Sequence, residues 1–178
     1  MAEAIFSVRP ADSGDAAPGP LRLIQSLANT RGADQDLLGA REDAAAWLHA
    51  AALLPAESGL SGSEHGALVR LRDSLRDVLA AHADDREDAD GAARLTRALA
   101  DGRVVLTVDP ASAIGLASAA RASYSNTVAA IAVAIAESAT AGGWLRLKAC
   151  TATGCGLAFY DATEASDSSR CAEHSSRS

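Results

Sequence analysis

Ser61-Gly62-Ser63-Glu64-His65-Gly66-Ala67-Leu68-Val69-Arg70-Leu71-Arg72-Asp73-Ser74-Leu75-Arg76-Asp77-Val78-Leu79 decides the fold. Ser61 and Glu64 have the spacing of a capping box, in which each side chain satisfies the other's free backbone amide. Leu68, Leu71, Leu75, Val78 and Leu79 then recur at helical intervals, so this stretch predicts an amphipathic helix that stops near His82. The composition agrees. Of 178 residues 43 are alanine and only 3% are aromatic, which favours closely approaching helices over a sheet of β-branched and aromatic side chains.

Outward from this helix, Leu21, Leu23, Ile24 and Leu27 predict a short helix that Gly32 stops. Arg41 to Leu54 predicts a second, with Trp47, Leu48, Ala51 and Leu54 on one face, Glu42 and Asp43 at its positive end, and Pro55 as its terminator. After the charged run Asp84 to Asp90, Ala92, Leu95 and Leu99 mark another helix that ends at Gly102. Val104-Val105-Leu106-Thr107-Val108 predicts a strand, Asp109-Pro110 a turn, and Ala113 to Leu116 a hairpin partner. Ala122 to Ala136 is free of charge but too short and too alanine-rich for a membrane span, and reads as a buried central helix. Ala4-Ile5-Phe6-Ser7-Val8 reads as an edge strand, followed by a Pro- and Gly-rich loop to Pro20.

The expected fold is therefore mainly α, with a small β-hairpin and a C-terminal zinc-ribbon-like appendage. Its divisions are 1–143 for the helical body, which carries the main core, and 144–178 for the tail. A net charge of -7 argues against coating nucleic acid or membrane through bulk charge. The expectation is a cytoplasmic protein that does not span a membrane.

The chemistry is concentrated in the tail. All three cysteines, Cys150, Cys155 and Cys171, fall within 22 residues, and His174 follows at once. Thiolate and imidazole suit zinc in a closed tetrahedron. Cys150 and Cys155 can form one chelating turn, bent at Gly154, and Cys171 with His174 the second. Metal ligation would supply stability that so small a tail lacks. Three free thiols remain the alternative from spacing alone. No Ser-His-Asp set, phosphate-binding glycine loop or His-Glu-x-x-His is present, so no catalytic residue is nominated and no enzyme is expected.

Leu145-Arg146-Leu147-Lys148-Ala149-Cys150 through Cys155, Phe159-Tyr160-Asp161 and Cys171 resemble the CGNR zinc-finger module, in which two cysteine pairs bind one zinc. Leu27-Ala28-Asn29-Thr30 and Leu71-Arg72-Asp73-Ser74-Leu75-Arg76 resemble the ABATE helical domain that precedes this finger. The resemblance implies a bacterial, stress-related transcription regulator whose body senses a small-molecule effector or forms a homodimer and whose finger contacts DNA. Two departures stand out. The family's fourth cysteine falls at Ser176, so either His174 completes a Cys3His zinc site or the site is degenerate. The family's basic linker is here 162–170 with one basic and two acidic residues, and 144–178 carries no net charge. Duplex DNA should then bind weakly, because phosphate contacts supply most of such affinity. A non-DNA-binding structural or interaction module is the second reading. A zinc enzyme with three cysteine ligands and an open fourth position is the third.

Among the remaining candidates, His65 is expected in solvent and His82 on the last carbonyls of its own helix. Glu137 is expected at an exposed helix end, Trp47 and Trp144 in the core, and Arg70, Arg72 and Arg76 on a solvated face.

Overall fold

The structure is a computed structural model that describes residues 16–119 and 123–175. The strand expected at 4–8 lies outside the described residues. In chain order the elements are α1 (Leu21–Ala28), α2 (Arg41–Ala50), α3 (Gly62–Ala83), α4 (Ala89–Leu99), β1 (Val104–Val108), β2 (Ile114–Ser118), α5 (Tyr124–Thr140), β3 (Leu147–Ala149), β4 (Ala158–Tyr160) and α6 (Ala172–Ser175). The architecture is mainly α with two antiparallel two-stranded sheets, β1–β2 and β3–β4. No helix among the described residues is long and apolar enough to cross a membrane.

α3 is the central pillar. Its capping box forms as the sequence predicts: Ser61 Oγ accepts from the Glu64 amide, and the Glu64 carboxylate accepts from the Ser61 amide at 2.7 Å. Leu68, Leu71, Leu75 and Leu79 are fully buried, in one core shared with Ile24 and Leu27 of α1, Leu48 of α2, Leu95 of α4, and Val128 and Ile131 of α5. Burying each such side chain contributes about 1.5–3 kcal/mol. The alanine-rich α5 permits close approach: a Cβ on Gly102 would lie 2.8 Å from the Ala129 amide nitrogen. Glu137 is exposed, Trp47 is core, and Trp144 packs against the core from the tail, as expected.

Five expectations are corrected. α1 stops at Ala28, not at Gly32, because Thr30 turns back onto the Leu27 carbonyl and Leu37 N–H takes the Thr30 carbonyl. α2 stops at Ala50, well before Pro55: Leu53 N–H reaches the Leu48 carbonyl and Ala52 N–H the His49 carbonyl, a Schellman turn with Ala52 at φ 55°. Arg72 is 1% exposed instead of solvated, and pairs with Asp36 and with Asp73 at 3.0 Å. His65 leaves solvent to donate through Nε2 to the Leu38 carbonyl at 2.7 Å. His82, at the end of α3, donates through Nδ1 to the Leu147 carbonyl at 2.9 Å and meets Trp144 edge-on. That carbonyl is strand backbone from the tail, not part of α3. Burial lowers the His82 pKa, which favours this neutral donor.

An alanine in the left-handed region is held there at a steric cost that glycine does not bear. Ala52→Gly is therefore expected to stabilise the protein by roughly 0.5–1 kcal/mol. A urea unfolding midpoint that moves down instead would contradict the Schellman reading of this helix end.

Candidate metal centre

The tail is not set apart from the helical core. Side chains alternate along a strand, and the register pairs Leu147 with Tyr160, Lys148 with Phe159 and Ala149 with Ala158. Leu147, Ala149 and Ala158 join the main core, whereas Phe159 packs with Cys150 and Cys171 in a second cluster. One hairpin thus has a face on the body and a face on the cysteines. Asn29, at the end of α1, fixes this placement by treating β4 as a strand partner. Its Nδ2 donates to the Ala158 carbonyl at 3.0 Å and its Oδ1 accepts from the Ala158 amide at 2.8 Å. Gln25 donates to the same carbonyl.

Beyond β3 the ladder continues once, from Cys150 N–H to the Leu157 carbonyl, before the chain reverses. Gly154 at φ 78° and Gly156 at φ 60° supply the left-handed backbone of this knuckle. The expected bend at Gly154 is therefore present, with Gly156 as a second. Amides of Ala152 and Cys171 point at the Cys150 sulfur and the Leu157 amide at that of Cys155. Gly156 also makes room for a neighbour, since a Cβ there would lie 2.6 Å from Arg76 Nη2. Arg76 bridges the two halves of the protein, because its Nη1 also donates to the Ala28 carbonyl at the end of α1, at 2.8 Å.

The second half of the centre is one helical turn. Cys171 is fully buried at the start of α6, and His174 N–H returns to the Cys171 carbonyl. That turn sets His174 Nδ1 3.2 Å from Cys171 Sγ and 3.7 Å from Cys150 Sγ, while Cys155 Sγ lies 3.9 Å from Cys171 Sγ. The four donor atoms of Cys150, Cys155, Cys171 and His174 all lie within 4.8 Å of one another. A tetrahedral ion with metal–sulfur bonds of about 2.3 Å and metal–nitrogen bonds of about 2.0 Å requires edges of about 3.8 Å and 3.5 Å. The donors therefore fit a metal ion. Without one, burial and the neighbouring Cys150 and Cys155 push the Cys171 thiol up to about 12, so the cluster holds its full negative charge only beside a cation.

Between the two halves, residues 161–170 are organised by an ion pair that the sequence does not announce. Lys148 Nζ, buried, donates to Asp161 Oδ2 at 2.9 Å and to the carbonyls of Ser166 and Ser168. Asp161 Oδ1 accepts from the amide and hydroxyl of Thr163, and Oδ2 from the Ser168 amide. Every lysine proton has an acceptor and both carboxylate oxygens are doubly engaged, as a buried pair needs. Arg146 adds bonds to the Asp161 and Thr163 carbonyls. Lys148, Asp161 and Asn29 were legible only as letters of the family-like segments, without their roles, and Arg76, expected on a solvated face, is instead half-buried between the body and the knuckle.

The position of the missing fourth cysteine, Ser176, lies outside the described residues. Of the sequence-nominated ligands, all four converge; the other histidines do not join them. No curated protein matches this chain. A family model does, over residues 21–142, from the first residue of α1 to just past the end of α5. That stretch is well over half of the chain and includes both the Asn29 clamp and the α3 pillar: the chain belongs to the ABATE family, described as "putative stress-induced transcription regulator".

Proposed function

We propose that this protein is a transcription regulator whose Cys150, Cys155, Cys171 and His174 hold one zinc ion, and that this zinc is structural. The observation that carries the reading is the convergence of three sulfurs and one imidazole nitrogen at tetrahedral spacing in a half-buried pocket. Zinc is the ion that such a donor set favours, because thiolate with imidazole matches a borderline-soft d10 cation with no geometric demand of its own. When bound, the ion supplies cross-linking of the knuckle to α6. Four protein ligands leave no open position for water or substrate, which favours a structural role over hydrolytic chemistry.

The helical body then acts as the effector-sensing or dimerising part, and the finger as a contact surface for a macromolecule. Its basic side chains favour protein contact over duplex DNA. Lys148 is consumed by Asp161 and Arg146 by two carbonyls, which leaves Arg170 as an exposed cation of the finger among the described residues. One or two phosphate contacts on a chain of charge -7 give little electrostatic affinity. Fluorescence anisotropy against mixed-sequence duplex is expected to show dissociation constants weaker than about 10⁻⁵ M near physiological salt. Submicromolar binding that weakens steeply with salt would restore direct DNA contact as the finger's role.

A further inference from the structure

Among the described residues, the β1–β2 hairpin is the one element whose large apolar residues face outward. Of the large hydrophobic side chains exposed among the described residues, Val104, Val105, Leu106, Val108, Ile114 and Leu116 all belong to it, and Leu145 alone lies elsewhere. The register converts this into a single face. Leu106 pairs with Leu116 and Val108 with Ile114, and Val104 lies two residues before Leu106, so these five share one side. Ile114 is 72% and Val108 63% exposed at the tip. On the opposite side are Val105, Thr107, Gly115 and Ala117, of which Gly115 and Ala117 are half-buried, and β2 is the strand that lies along α5. An alternating strand pattern of this kind ordinarily covers a core. Here its large side chains point away from one.

We propose that this face is the dimer interface: it packs against the same face of a second copy across a two-fold axis. The proposal rests on the reading of the body as a dimerising domain and names the surface that does it. Two observations favour a second copy. The face carries no ionisable side chain, so two copies of an acidic chain can meet here without opposing like charges. Its five side chains expose on the order of 500 Å² of largely apolar surface, so two copies bury about 1,000 Å², the area at which specific association begins.

Sedimentation equilibrium of the full chain tests this. The wild type at about 50 µM is expected at twice the 18.1 kDa chain mass, with dissociation on the order of micromolar. Leu106→Lys and Ile114→Lys should each raise the dissociation constant at least tenfold. Thr107→Lys, on the opposite side of the same strand, should leave it unchanged. Helical circular dichroism and metal content should match the wild type in all three. A wild type that stays monomeric to 100 µM overturns both the interface and the dimerising body. A dimer that survives both lysines on the apolar face, or that Thr107→Lys disrupts equally, overturns the interface alone.

Discussion

Asp161→Ala is expected to destabilise the protein by about 3–5 kcal/mol, because it strands the Lys148 ammonium, 4% exposed, without its counter-charge. The loss should spread along the chain. Asp161 also anchors Thr163 and Ser168, so residues 161–170 lose the geometry that delivers Cys171 and His174, and metal should be surrendered to a chelator at least tenfold more readily. Adding Lys148→Met should return part of the loss, since a buried pair replaced on both sides leaves no orphan charge. The pH dependence has a definite sign. Burial alone would raise the Asp161 pKa, but hydrogen bonds from Thr163, Lys148 and Ser168 override it and hold the carboxyl at about 2, below its ordinary 3.8. A lowered folded value contributes stability that is complete above about pH 4 and is lost as pH falls toward 2. That contribution is about 2 kcal/mol and should be missing from Asp161→Ala. An unfolding free energy for this variant within about 1 kcal/mol of wild type would show that the network does not hold the loop.

Removing the metal, by chelation or by Cys171→Ser, should have the other large effect. At ion concentrations a thousandfold above the dissociation constant, binding stabilises the folded state by about 4 kcal/mol, equivalent to roughly 10 °C in a chain of this size. The far-UV helical signal at 20 °C should nevertheless persist. α1 packs on both α3 and α5, and Ile24, Leu27, Leu71, Leu75, Val128 and Ile131 share one core that is separate from the cysteine cluster. An unchanged melting temperature on chelation would contradict a structural ion, and collapse of the helical signal would contradict an independent core.

The pattern of what could be read in advance follows from how local each signal is. α3 and its capping box were legible because Ser61, Glu64 and the leucine repeat interact within one helix. The hairpin and the four metal-ligating candidates were legible from short local spacings, although spacing alone left three free thiols as an alternative. Arg72 was not: a guanidinium flanked by Asp73 and Asp77 reads as solvated, and its burial is tolerable because Asp36, 36 residues away, joins Asp73 in pairing with it. Lys148 is the same case, with a partner 13 residues on and across the hairpin. The early stop of α2 was hidden because Ala52 adopts a left-handed conformation that glycine ordinarily signals. Nor could the tail's share in the core be foreseen. It depends on Asn29 recognising the backbone of Ala158, which leaves no trace in hydrophobic periodicity.

Elemental analysis of protein purified without chelator tests directly whether Cys150, Cys155, Cys171 and His174 hold a zinc ion. One zinc per wild-type chain, a large loss of zinc in His174→Ala and full retention in Ser176→Ala are expected. Far less than one zinc per chain in the wild type, or retention in His174→Ala with loss in Ser176→Ala, would contradict this ligand set.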